Sequence, residues 1–590
     1  MSEVKSYQDL FHEHDDHLHS EPKSFISKYI FSYDHKMIAK QFFWFGLFWA
    51  FIGAFMSMLI RWALAYPGVP FPVVGNLLFP DSAGVIPPDV YTTLFTLHGT
   101  IMIFFAITPI LVGTFGNLCI PLMIGARDML FPWLNMASFW VTFAGGVVMF
   151  ISLFVPMGGS GVGWTSYPTL AHSQWSPGWG HSLWLISIFL IGNSSIMGAI
   201  NYISTVIRLR APGMTWSRLP LTIWGLFLTA LLNALFIPVL AAGLLLLLLD
   251  RTFGTTFYLA ASISEVGAQG DPILYQHLFW IFGHPEVYIV ILPAWGMVSD
   301  FLSFFARKPA FGAKWTAGSF VAITFLSTVV YGHHMFTTGM SPLLTGAFTT
   351  MTLLISIPSG IFFLNWLGTI WRGSIRLNTV MLFSLGLVIT FGVGGLTGLH
   401  LGAVPTNLLL HNTYFVVGHF HLTMAVAALL GTLAATYFWF PKMFGRMMDE
   451  RLGKIHFWTT FIPILYIFCG MFVVGYAGMH RRIYNPYEYN FISHLIYMNR
   501  YISIAAFIAF FSQLIFVYNL VKSIKSGAVA SANPWEVGTL EWTISSPPPF
   551  HNFDKIPVVH NGPHEFSHPK LQGRDWISQT EYLDGVSTPA

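Results

Sequence analysis

The chain alternates long apolar runs with short polar connections. Twelve runs reach about 20 residues or more, the length needed to cross roughly 30 Å of hydrocarbon. They fall at about 38–65, 91–124, 134–156, 181–208, 218–250, 272–305, 315–337, 343–371, 378–402, 406–440, 454–478 and 496–521. The runs are apolar throughout, not alternating with period two, so they predict membrane helices and exclude a barrel. The first run is too long, and starts too far into the chain, for a signal peptide. The expected fold is an all-α membrane protein, a twelve-helix bundle over 36–522. It is flanked by a polar tail at 1–35 and a soluble tail at 523–590. No internal repeat is visible.

Connection charges orient the bundle by the positive-inside bias. Arg127, Arg208, Arg210, Arg218, Arg307, Lys308, Lys314, Arg372, Arg376, Lys442, Arg446, Arg451 and Lys454 fall in the even-numbered connections. The odd-numbered ones carry only Arg251, Arg481, Arg482 and Arg500. Both termini are therefore expected on the cytoplasmic side. Adjacent arginines at 481 and 482 run against the bias, which predicts an anionic partner on the outer side.

Composition agrees with the pattern: of 590 residues only 9% are charged, with mean hydropathy +0.62, against about a quarter charged in soluble domains. A net charge of +3 gives no basis for nucleic-acid binding. Two cysteines, Cys119 and Cys469, both in apolar runs, offer neither a disulfide framework nor a thiolate metal site. Near the N-terminus, His12, Glu13, His14, Asp15, Asp16, His17 and His19 form a cluster that reads as a solvated tail. Pro547, Pro548 and Pro549 mark the other tail as an extended surface segment.

Histidines inside the runs carry the chemistry, because an imidazole in hydrocarbon is costly unless paired or ligating. Counting about 1.5 Å per residue from the outer helix ends, His98, His284, His333, His334, His419 and His421 all lie in the outer half of the membrane. Residues two apart on a helix point about 200° away from each other. His419 and His421 must then serve two centres, a pattern that suits two haems flanking one helix. His98 is the available second axial ligand for a six-coordinate haem. His284, His333 and His334 supply three imidazoles for copper. Tyr288 stands on the face of His284, one turn on. Glu286 is a buried carboxylate able to carry a proton.

The runs His284-Pro-Glu-Val-Tyr288, Gly332-His-His-Met-Phe336, His411-Asn-Thr-Tyr414, Gly418-His-Phe-His421, Leu97-His-Gly-Thr100 and Gly163-Trp164-Thr165 resemble the catalytic subunit one of haem-copper terminal oxidases, in the cytochrome c oxidase branch. The resemblance covers about 38–521. It implies that His98 and His421 bind a low-spin haem, His419 an oxygen-binding haem, both of the A type, and His284, His333 and His334 one copper ion. It implies also that Tyr288 is bonded to His284 and donates an electron and a proton in splitting oxygen. Asp128 becomes the proton uptake point, Asn117 and Asn135 belong to a water-filled channel, and Glu286 is its inner end. Arg481 and Arg482 hold haem propionates, Arg61 lies beside the low-spin haem, and Trp164 joins the cofactor-binding set. Oxidase subunits two and three, cytochrome c, the lipid bilayer of a bacterial cytoplasmic membrane and a respiratory supercomplex are the implied partners.

Two positions depart from the family pattern. Phe362 stands where a proton-conducting lysine is usual, leaving Thr349, Thr352 and Ser359 as hydroxyls that could relay protons with water. Asn412 stands where an aspartate usually helps His411 bind magnesium or manganese, and an amide oxygen is the weaker ligand. Val90 and Thr93 replace the histidine and glutamine of quinol-using relatives, which favours cytochrome c as donor. A nitric oxide reductase would lack the tyrosine, and a histidine-lined transporter would need no haem.

Overall fold

The computed structural model describes residues 19–260, 269–567 and 573–582; His12 to His17 lie outside them. Among the described residues the chain is all-helical apart from isolated bridges such as Thr413 with His480. Among the described residues eleven helices are long and apolar enough to cross a membrane. We label α1 His35–Ala65, α2 Pro88–Ile124, α3 Pro132–Ser152, α4 Trp179–Arg208, α5 Leu221–Phe253, α6 Pro272–Ala306, α8 Pro342–Ile370, α9 Thr379–Gly402, α10 Tyr414–Phe444, α11 Glu450–Tyr476 and α12 Asn490–Ser526. The expected seventh span is the exception. Helix α7, Ala313–Ser327, ends after 15 residues, and the chain continues through a 3₁₀ turn at Tyr331–Met335. His333 and His334 therefore stand on that turn and not in the last turn of a long helix.

Side chains start several of these helices. Asp34, Asp271, Ser341, Asn378, Thr413 and Asp449 each accept a backbone N–H of the first turn, satisfying donors that hydrocarbon could not. Gly125 and Gly445 close α2 and α10 at φ 81° and 70°, a left-handed conformation that glycine adopts without cost.

Helix α6 is the axis of the bundle, its most apolar stretch wholly enclosed; α2 is nearly so. Two helices deviate from α geometry beside the histidines. π-helical turns occupy Ile101–Ile107 and Pro109–Thr114 just after His98, and His421–Ala425 begins another. Such turns widen a helix locally and concentrate at functional sites.

The C-terminal segment has little helix, yet many of its side chains are buried: Leu540, Glu541, Trp542, Asn552, Phe553 and Gln579 are at most 5% exposed. It straps the bundle end that carries the even-numbered connections. Lys442 Nζ donates to the carbonyls of Ala532, Ile544 and Ser545. Asn552 Nδ2 donates to Ala126 O and Arg127 O, and His564 Nε2 lies 2.7 Å from Asp300 Oδ1. Several of the cations that produce the sequence bias, Arg218, Arg307, Arg376 and Lys442 among them, thus meet the tail.

Burial pushes the Glu541 carboxyl up to about 7. The folded chain then holds a proton that the unfolded chain, with an ordinary glutamate pKa near 4.3, has lost. Stability should fall as the pH rises from about 4 through 7. Glu541→Gln should flatten that decline, measured as the thermal unfolding midpoint at pH 6 and pH 8.5. A parallel decline in variant and native protein would contradict the assignment.

Candidate functional site

A cavity of about 1460 Å³ opens among α1, α2, α6, α8, α9, α10 and α11, larger than the roughly 300–1,000 Å³ of an ordinary small-molecule pocket. All six histidines of the sequence reading line it, with Arg61, Trp164, Glu286, Tyr288, Thr352, His411, Asn412, Arg481 and Arg482.

His284, His333 and His334 form the one group of three or more His, Cys or carboxylate residues among those described whose ligand atoms lie within 4.8 Å of one another. His284 Nδ1 is 3.3 Å from His334 Nε2, and His333 Nε2 is 3.1 Å from the same atom. No carboxylate joins the group, so a borderline-soft cation that accepts imidazole fits these donors. His284 Nε2 is buried without a hydrogen-bond partner among the described residues, and the rings of His284 and Tyr288 are centred 4.9 Å apart.

The other three histidines share one arrangement. His98 Nδ1 faces Gly53 O at 2.8 Å, His421 Nδ1 faces Val417 O at 2.8 Å, and His419 Nδ1 faces Gly394 O at 3.0 Å. A carbonyl can only accept, so each Nδ1 must carry the proton and each Nε2 keeps a free lone pair. This is the anchoring that metal-bound imidazoles use. His333 Nδ1 lies 3.0 Å from the hydroxyl of Thr352, which can donate or accept. His419 and His421 do diverge: the ring of His421 stacks on Phe468 of α11 at 4.6 Å, while His419 turns toward Gly394 and Gly398 of α9. A Cβ added to Gly398 would come within 3.0 Å of His419 Cε1.

Cations gather at the bundle end that carries the odd-numbered connections. Arg61 Nε donates to Ser503 Oγ and Nη2 to Asn499 O and Oδ1, but buried Nη1 has no partner among the described residues. Burial, and then the neighbouring Arg482, lower the Arg481 pKa to about 9. Two adjacent guanidiniums in so enclosed a position call for anionic ligand groups. Asn412, at φ 59°, turns its amide oxygen to Arg481 Nη2 at 2.9 Å. His411 is held by Thr337 and Asn407, and burial lowers its pKa to about 4.

Asp128 lies between α2 and α3, 5% exposed, under the tail and 3.7 Å from His19. Burial and the nearby Asp34 raise its pKa well above the usual carboxylate range. Asn117 Oδ1, both amide atoms of Asn135 and Glu286 Oε1 are buried without partners among the described residues. Groups in this condition are the ones that ordered water satisfies. Phe362, fully buried, packs instead among Trp295, Phe320, Trp366 and Phe391.

Two residues had no role in the sequence reading. Trp280 stacks on His334 with ring centres 3.8 Å apart and donates its indole N–H to the hydroxyl of Tyr167. Thr397 holds His419 Nδ1 at 3.0 Å. Trp280 stood one turn before His284, a visible cue, whereas Thr397 is on another helix.

Residues 37–511 match the family described as cytochrome c and quinol oxidase polypeptide I, and the chain belongs to it. It is 42% identical over 570 residues to the alternative cytochrome c oxidase subunit 1 of Bradyrhizobium diazoefficiens, covering 95% of this chain and 94% of that one. It is 40% identical to cytochrome c oxidase subunit 1 of Cereibacter sphaeroides, covering 92% and 97%. A haem-copper terminal oxidase dimer solved by cryo-EM shares the fold, with a TM-score of 0.67 at 20% identity over 84% of this chain and 85% of that one. Family membership makes the chain a membrane-embedded oxidase polypeptide and sets the transporter reading aside.

Proposed function

We propose that this chain is the catalytic subunit of a terminal respiratory oxidase that reduces oxygen to water with electrons from cytochrome c and pumps protons. The observation that carries the reading is six imidazoles around one cavity, three of them mutually in reach and three with Nδ1 held on a backbone carbonyl. His98 and His421 would hold a low-spin haem, His419 a second, oxygen-binding haem, and His284, His333 and His334 a copper ion; haem A is the favoured type. When bound, these groups carry electrons singly and supply those that open the O–O bond. The protein's own part is to orient them, admit protons and exclude bulk water. Arg61, Arg481 and Arg482 fit the haem carboxylates, and Trp164 packs beside Gly99 of the His98 turn. Tyr288 is placed to give an electron and a proton at the copper side.

Protons enter at Asp128 and pass by Asn117 and Asn135 to Glu286. The unpartnered amide and carboxyl atoms support this route, since water joining them would form a continuous chain of donors and acceptors. A second, hydroxyl-based route past Phe362 rests on Thr349, Thr352 and Ser359; Thr352 and Ser359, joined by Ser356, line the same cavity, and Thr349 does not. Thr352 holds His333 as well, so Thr352→Val should both slow reduction of the oxygen-binding haem and disturb the copper signal. Stopped-flow absorbance and electron paramagnetic resonance measure the two effects, and an unchanged reduction rate would end the hydroxyl route.

Val90 and Thr93 line up with a cytochrome c donor acting through a copper-bearing subunit two, and Thr93 is spent on Gly159 O. The outer half of α8, with no buried side chain over Pro342–Leu354, is a natural contact for companion subunits. The bacterial relatives favour the cytoplasmic membrane, with both termini inside. A reduced-minus-oxidised spectrum with metal analysis tests the whole reading: two haems and copper support it, haem with non-haem iron would favour a nitric oxide reductase, and absence of haem would refute it.

A further inference from the structure

Four arginines lie on the outer connections, and the structure uses three of them internally. Arg251 donates to Ser182 Oγ and to the carbonyls of Ala171, Ser176 and Gly178. Arg481 and Arg482 face the cavity. Arg500 makes only one such internal bond. It stands in the first turns of α12, and its Nε donates to Ala65 O, the last residue of α1, at 3.2 Å. Its guanidinium carbon lies 5.5 Å from the ring centre of Tyr66 and 5.6 Å from that of Tyr497. The side chain is half-buried, and its two terminal nitrogens meet no carboxylate among the described residues.

Tyr66 also forms one end of a groove of about 550 Å³ between α1, α11 and α12, open to the membrane. Trp62, Ile504, Phe507, Phe511 and Ile515 make its walls. Ser503 in its floor donates to Arg61 O and accepts from Arg61 Nε, so the floor asks for no polar ligand. From Ile504 to Ile515 the groove runs about 16 Å along the helix at about 1.5 Å per residue. That is about half of a 30 Å hydrocarbon core, the depth of one leaflet.

We propose that this groove, with Arg500 at its mouth, binds one phospholipid with an anionic headgroup, its acyl chain lying along α12 and its phosphate on the Arg500 terminal nitrogens. Charge and shape select this occupant together. A water-soluble anion gains nothing from an apolar channel one leaflet deep, and a companion helix has no use for an unpaired guanidinium at the bilayer edge. Tyr66 and Tyr497 flank the cation at interfacial height, where aromatic rings are favoured. The assignment is independent of the oxidase reading.

The test uses the complete oxidase, delipidated in detergent and re-supplied with phosphatidylglycerol or with phosphatidylcholine of the same acyl chains. Native mass spectrometry counts the lipid retained. One phosphatidylglycerol per enzyme is expected to survive activation, preferred over phosphatidylcholine by roughly fivefold, the ratio expected of one arginine at a headgroup. Arg500→Gln should abolish the preference, and Ile508→Trp, which fills the groove from its lipid-facing side, should remove both lipids, with haem spectra unchanged in each. Equal retention of the two lipids by native protein would overturn the proposal, as would retention unaffected by Ile508→Trp.

Discussion

Substituting His421 by alanine is expected to remove the low-spin haem and leave the copper signal, whereas His419→Ala removes the oxygen-binding haem and leaves the low-spin spectrum. The two side chains are two residues apart, but one lies against Phe468 of α11 and the other against Gly394 and Gly398 of α9. They therefore face different regions of the cavity. Loss of an outer partner of a metal-bound imidazole already costs about 10- to 100-fold, so loss of the imidazole itself should reduce turnover by on the order of 100-fold or more. Low-temperature optical spectra separate the haems. If the same band disappeared in both variants, the division of α10 into two ligand faces would be wrong.

Asp128→Asn should slow turnover by on the order of 10²-fold, the scale of a lost proton-transfer group, and abolish pumping in reconstituted vesicles. Burial holds its pKa above the usual carboxylate range, and a carboxyl can take up and release a proton where an amide cannot. Glu286→Gln should have a comparable effect from the other end. The two groups act in series on one route, so the double variant should be little slower than the slower single one. Additive losses would mean that Asp128 and Glu286 serve separate routes. Unchanged proton-to-electron ratios would remove Asp128 from the path.

Much of the site was legible in the sequence because the membrane makes it so. Polar side chains are rare in long apolar runs, so His98, His284, His419 and His421 stood out without any tertiary information. Helical periodicity alone separated His419 from His421 and joined His284 to Tyr288. What it could not give was pairing across helices. Nothing local marks Gly53 O as the anchor of His98, or Thr352 as that of His333. The length of α7 was misjudged for a related reason: hydropathy continues through Val330, but the backbone leaves the helix after Ser327 to bring two adjacent histidines onto one turn. The tail was harder still. Its prolines and scattered apolar residues lack periodicity, and its burial depends on carbonyls meeting lysines and arginines hundreds of residues away.

That strap has a consequence for how the protein is made. His35 meets Asn552 across 517 residues, and His564 meets Asp300 across 264. Contacts of such sequence separation form late, because a very long loop must close before they contribute. During synthesis the helices can enter the bilayer one after another, but the end of the bundle that carries Asp128 stays open until the last part of the chain has left the ribosome. A premature stop after α12 would therefore yield a polypeptide with every labelled helix and all six cavity histidines, yet with its Asp128 end uncovered and several of its lysines and arginines without their carbonyls. Docking of the segment that carries Asn552 and His564, and not insertion of α12, is the step that covers the Asp128 end of the bundle.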